Sequence, residues 1–173
     1  MKKFTAAVLF LLVLILQNGC TTVPGTGRSA LMLVPESALV EQSNNLFREM
    51  RRKTRISRNS EYNARVQRVG RKIADVVKDD MPNTHWEFVV FEDASQVNAF
   101  AMPGGKVGIY TGLFSLVEQD ADLATVVSHE IAHVVARHGN QRVSQQILLA
   151  AGGLALGLSL DDEDRATHNA VMT

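Results

Sequence analysis

A single cysteine among 173 residues excludes any disulfide within the chain, so packing and hydrogen bonds must hold its fold. Prolines are equally scarce: Pro24, Pro35, Pro82 and Pro103 all fall where an element begins or a turn is expected. Charge of one sign is missing too, since 18 basic residues balance 18 acidic ones. That gives no case for a nucleic-acid partner. Long apolar runs are also lacking. The unbroken stretch from Ala6 to Leu16 is shorter than the roughly 20 residues that span a bilayer.

That short run follows Lys2 and Lys3 and has the layout of a secretory signal. Gly19 and the lone Cys20 come just after it. A lone cysteine at that position reads as the acylated residue of a bacterial lipoprotein, with Gln17 and Asn18 departing from the usual preferences before the cleavage point. A plain signal peptide with an incidental cysteine is the alternative. Thr21 rather than Asp after Cys20 points to the periplasmic face of the outer membrane. The expected organisation is a signal peptide over residues 1–19, a lipid-anchored tether over 20–31 and one domain over 32–173. The domain expected here is long enough for a single core.

Periodicity predicts several helices and a short run of strands. Apolar residues Leu39, Val40, Leu46, Phe47 and Met50 recur at helical spacing between Pro35 and about Lys53. Val66, Val69, Ile73, Val76 and Val77 do so after a Ser60 N-cap. Past the breaker at Met81–Asn83 the period shortens to that of strands over Trp86–Phe91, Val97–Met102 and Lys106–Tyr110. A turn at Pro103-Gly104-Gly105 joins the last two. A central helix is expected from an Asp120 N-cap to a Gly139 C′ residue, and another from Val143 to Leu160.

The central helix carries Ser128-His129-Glu130-Ile131-Ala132-His133. Residues i and i+4 of a helix lie on one face about 5–6 Å apart, within reach of a single ion. Neutral imidazole suits zinc, and Glu130, one residue round from His129, is placed to act on a metal-activated water. His-Glu-x-x-His is thus a signature of zinc hydrolysis. Leu123, Val127, Ile131, Val134 and Val135 make this helix apolar nearly all round, so it is expected to be buried. His138 falls about 180° from His129 at 100° per residue and is not expected to be a third ligand.

Thr26-Gly27-Arg28 with Leu31–Pro35, Asn98–Gly105, Gly112-Leu113 and the block from His129 to Gly139 together resemble the lipoprotein branch of the HtpX-like zinc peptidases, a family related to the CAAX prenyl proteases. The resemblance implies a gluzincin fold, α+β and mostly helical with a small sheet packed on the His-Glu-x-x-His helix, and Zn2+-dependent endopeptidase activity on proteins of the bacterial envelope. It implies that His129 and His133 bind zinc, that Glu130 is the general base, and that Asn98, Ala99, Phe100, Ala101 and Met102 lie at the substrate cleft. The family's third ligand is a Glu followed by Ala-Asp in a later helix. No such triplet occurs here, so that ligand, and the C-terminal part of the fold, are expected beyond Thr173. Glu163 and His168 are the substitutes within the sequence. The alternative to a protease is a chaperone-like envelope lipoprotein without catalysis.

Overall fold

A computed structural model describes residues 20–23 and 27–159. The expected signal peptide, and Glu163 and His168, lie outside the described residues. Within them the chain runs β1 (Cys20–Thr22), β2 (Ser29–Leu31), α1 (Glu36–Lys53), α2 (Ser60–Val76), β3 (Glu87–Phe91), β4 (Ala99–Met102), β5 (Lys106–Tyr110), a 3-10 turn (Thr111–Ser115), α3 (Asp120–Val135) and α4 (His138–Ser159). The mostly helical α+β class is the one the resemblance implied.

The sheet that positions the site has the order β3-β5-β4, with β5 parallel to β3 and antiparallel to β4. Side chains alternate across it, and both faces are covered. Phe88, Val90, Ala99, Ala101, Val107 and Ile109 point into the main core, which α2 and α3 close with Val66, Val69, Leu123, Val127 and Ile131. On the other face Val89, Phe91, Phe100 and Tyr110 meet α1 through Phe47, whose ring stands edge-on to Phe91 at 5.9 Å between centroids. The result is three layers, α1, sheet, then α2 with α3. Gly108 lies among the aromatic rings, and a Cβ there would come within 2.2 Å of the Phe100 ring. The β4–β5 turn has Gly104 at φ 81°, the conformation that its Pro-Gly sequence predicts.

Several boundaries differ from expectation for local reasons. Asn59, not Ser60, caps α2, its side chain accepting hydrogen bonds from the Glu61 and Tyr62 amides. Gln119, not Asp120, caps α3 in a reciprocal box with Asp122. The second strand starts at Ala99 because Asn98 turns its side chain onto the Ala99 amide. Leu46 and Val76, counted with the buried stripes, are exposed.

Within the expected tether, the described residues are paired. β1 and β2 pair as an antiparallel ribbon, Cys20 opposite Leu31, with Val23 buried at its turn. The following residues are fixed to α4. The Leu33 amide donates to Ser144 Oγ at 2.8 Å, Asn140 Nδ2 donates to the Val34 carbonyl at 2.8 Å, and Arg28 donates to Gln141. Ser144 and Asn140 are both buried, and each is satisfied by these bonds and by the one between them. No helix among the described residues is long and apolar enough to cross a membrane.

Candidate metal centre

Helix α3 is buried on one half only. Leu123, Val127, Ile131, Val134 and Val135 face the core, while His129 and His133 stand exposed on the opposite side and Glu130 is half-buried between. This corrects the expectation of a helix buried nearly all round. The exposed half is narrow but carries the chemistry. The helix is oriented at its start by Asp120, whose carboxylate accepts from Arg68 at 2.8 and 2.9 Å and from Arg65 at 3.4 Å, both on α2. The hydrogen bond from Arg68 holds the Asp120 carboxyl below the usual range.

The two motif imidazoles face each other through Nε2, with 3.1 Å between the nitrogens and 4.5 Å between ring centroids. Tetrahedral zinc with Zn–N bonds of about 2.0–2.1 Å places two ligand nitrogens roughly 3.3–3.4 Å apart. The pair therefore fits a shared ion with a shift of a few tenths of an ångström. Glu130 lies about 100° round the helix from His129, on the flank away from Ser128 and Ala132. Among the described residues no group of three or more His, Cys, Asp or Glu side chains forms a metal cage.

His138 is the residue that sequence reasoning misplaced. Extrapolating one helix through Gly139 put it on the far side, but α3 stops at Val135. Arg137 takes a left-handed φ of 53°, and the chain turns into α4. That reversal brings His138 Nδ1 to 2.6 Å from His133 Nδ1. Gly139 is the second residue of α4, not the end of α3. His138 cannot share an ion with the motif pair through that nitrogen, because it meets the other edge of the His133 ring. Partial burial, then the charges of His133, Arg28 and Arg142, push its imidazole below the ordinary value.

Beside the histidines an apolar cleft of about 590 Å³ opens between α2 and α3, walled by Ile73, Val76, Val77, Ala132, His129 and His133. Val76, 81% exposed, contributes to this wall. Arg28, at the end of the β1–β2 turn, reaches the same cleft. Neither residue was a candidate from sequence, where periodicity assigned Val76 to the core and the ribbon was unseen.

The expected substrate strand is split by the pleat. Ala99 and Ala101 pack beneath α3 in the main core, Phe100 turns to the opposite face against Phe47, and Met102 closes the strand opposite Lys106. Asn98 precedes the strand, and its carbonyl accepts from the Tyr110 amide. β4 packs against α3 and forms one edge of the sheet. Cys20 opens β1.

Comparison with known proteins places this geometry in a family. The profile of peptidase family M48 matches residues 59–172. The mitochondrial metalloendopeptidase OMA1 of Schizosaccharomyces pombe is 38% identical over 103 residues, which are 60% of this chain and 30% of that protein. OMA1 of Arabidopsis thaliana is 39% identical over 71 residues, 41% of this chain and 14% of that protein. The putative beta-barrel assembly-enhancing protease of Vibrio cholerae is 35% identical over 96 residues, 51% and 20% of the two chains. The chain thus spans less than a third of the length of each of these relatives. The family match covers the sheet, helix α3 and its paired histidines: the chain belongs to peptidase family M48.

Proposed function

We propose that this chain forms the catalytic core of a zinc metalloendopeptidase of the bacterial envelope, anchored by an acylated Cys20. The observation that carries the reading is the 3.1 Å approach of the His129 and His133 Nε2 atoms with Glu130 between them in sequence. His129 and His133 are the side chains that would hold zinc. When bound, zinc supplies a Lewis acid that polarises a carbonyl and acidifies a water. Glu130 takes the proton of the attacking water and returns it to the leaving amine. Family resemblance supplies the third ligand, a carboxylate from a later helix.

An extended peptide is accommodated along β4, whose outer edge pairs with no strand among the described residues. Helix α3 packs on both α2 and β4, and α2 shares the Ser128–Ala132 flank of the cleft. The helical wheel leaves the Glu130 flank for β4, which is where a base must stand to serve a peptide on that edge. The apolar cleft on the other flank is shaped for a hydrophobic side chain of the same peptide.

Stoichiometric zinc, and casein cleavage abolished by a chelator and restored by added zinc, are expected of the full-length protein. Zinc-free protein that cleaves normally, or a metal-binding protein with no proteolysis, would remove the reading in favour of the chaperone-like alternative.

The envelope assignment rests on the basic, apolar, Cys20 order of the N-terminus, with support from bacterial relatives named for β-barrel assembly. Thr21 favours the outer membrane as the destination. Wild-type protein is expected in the membrane fraction, and Cys20→Ser either unprocessed or released. Fractionation that finds wild-type protein soluble with a free thiol would discard the anchor.

A further inference from the structure

We infer that His138 is the positioning residue of the metal centre: it accepts the Nδ1 proton of His133 and so keeps the His133 Nε2 lone pair aimed at the ion. The inference rests on the proposed metal site and goes beyond it, because neither ligand role involves His138. Three observations support it. The Nδ1–Nδ1 distance of 2.6 Å is a hydrogen bond, so one of the two nitrogens carries the proton. His133 Nε2 already faces His129 Nε2 at 3.1 Å, the side on which the two rings span a tetrahedral ion. The turn that delivers His138 is an unusual one, formed by Arg137 at φ 53° with its amide bonded to the Val134 carbonyl.

The proton inventory follows from ring chemistry. A neutral imidazole has one N–H and one lone pair, so a ring that binds metal through Nε2 must carry its proton on Nδ1. His133 then donates from Nδ1 to His138 Nδ1, and His138 keeps its own proton on Nε2. In the metal-free protein His129 Nε2–H donates to His133 Nε2, so the three rings form one directed chain. For His129 to ligate through Nε2, its single proton has to move to Nδ1 by exchange with solvent, so that the ring stays neutral. His133 is already in its binding form.

Metal-bound histidines commonly have the second nitrogen held by a carboxylate or carbonyl. Here an imidazole is supplied from the first residue of the next helix. The position is well secured, because α4 is also tied through Asn140 and Ser144 to residues 33 and 34.

The experiment combines two readouts on the full-length protein. Long-range 1H–15N correlation on imidazole-labelled, metal-free wild type should find His133 as the Nδ1–H tautomer. Zinc affinity, measured by competition with a chelating dye, should fall about 10–100-fold in His138→Phe, which fills the space but accepts nothing. His138→Asn, whose Oδ1 stands near the place of Nδ1, should restore most of that loss. A His133 Nε2–H tautomer in wild type would overturn the inference, as would unchanged affinity in His138→Phe or equal losses in both variants. If wild type bound no zinc, the functional reading would fail and the positioning role with it, whereas zinc binding with a His133 Nε2–H tautomer would overturn the role of His138 alone; the tautomer tells the two failures apart. It decides equally if either variant does not fold.

Discussion

Glu130→Gln is expected to bind zinc as wild type does and to lose about 10²–10⁴ of its proteolytic rate, the usual cost of removing a general base. The substitution keeps the size and planarity of the side chain and its ability to hold a water by hydrogen bonding. It removes only the capacity to take a proton near neutral pH. Because Glu130 is turned about 100° from His129, it is not counted among the ligands and metal content should not change. His129→Ala is the counterpart. It removes one of the two nitrogens that lie 3.1 Å apart, so both bound zinc and activity should be lost. Metal analysis alongside peptide cleavage separates the two variants, and wild-type cleavage by Glu130→Gln would sink the assignment of the base.

Ile131→Ala should cost about 2–5 kcal/mol of folding stability, because it deletes a fully buried side chain and leaves a cavity. Domains of this kind are stable by about 5–15 kcal/mol, so the loss is a large share of the total. For a chain of this size it corresponds to a fall of roughly 4–20 °C in melting temperature. Ile131 is also the residue between the two motif histidines on the underside of α3, packed in the core that lies beneath the sheet face of Val107 and Ile109. A loosened helix would spread the Nε2 pair, so zinc affinity should weaken with stability even though no ligand is touched. Ile131→Val, costing about 0.5–1.5 kcal/mol, should fall between. Metal-free His129→Ala should melt close to wild type, since its ring is exposed. Thermal melts of the metal-free proteins check this ordering, and an unshifted Ile131→Ala would mean that α3 is not seated by this residue.

Local rules read most of the fold well. Apolar spacing in α1 and α2 and the shorter period in β3 and β5 were visible because each is repeated several times within one element. The histidine pair was legible for the same reason, as four-residue spacing has one meaning on a helix. Events carried by single residues were not. The end of α3 depends on Arg137 entering a conformation that Gly or Asn would advertise, so the sequence pattern ran on to Gly139 and turned His138 the wrong way. Val76 fits the apolar stripe of α2 by spacing, yet it faces the cleft, because periodicity reports a face and not what covers it. The caps at Asn59 and Gln119 shifted by one residue from equally plausible neighbours, a choice that the backbone angle of the preceding loop decides.

With the acyl group proposed on Cys20, the β1–β2 ribbon would set how far the histidine cleft stands from the membrane. An extended segment from Cys20 to Leu31 would reach about 35–40 Å at 3.3–3.6 Å per residue. Folded as an antiparallel pair with Cys20 opposite Leu31, the same segment separates its ends by only about 5 Å. An acyl chain on Cys20 would therefore act as a short stalk, holding the body of the protein against the bilayer and not letting it swing. Arg28, on the same ribbon, borders the histidine cleft, so the height of that cleft above the lipid would be nearly constant. On the proposed anchoring, selection of substrates would then be by altitude: a polypeptide strand lying at the membrane surface would be within range, and one free in the aqueous space would have to come down to it.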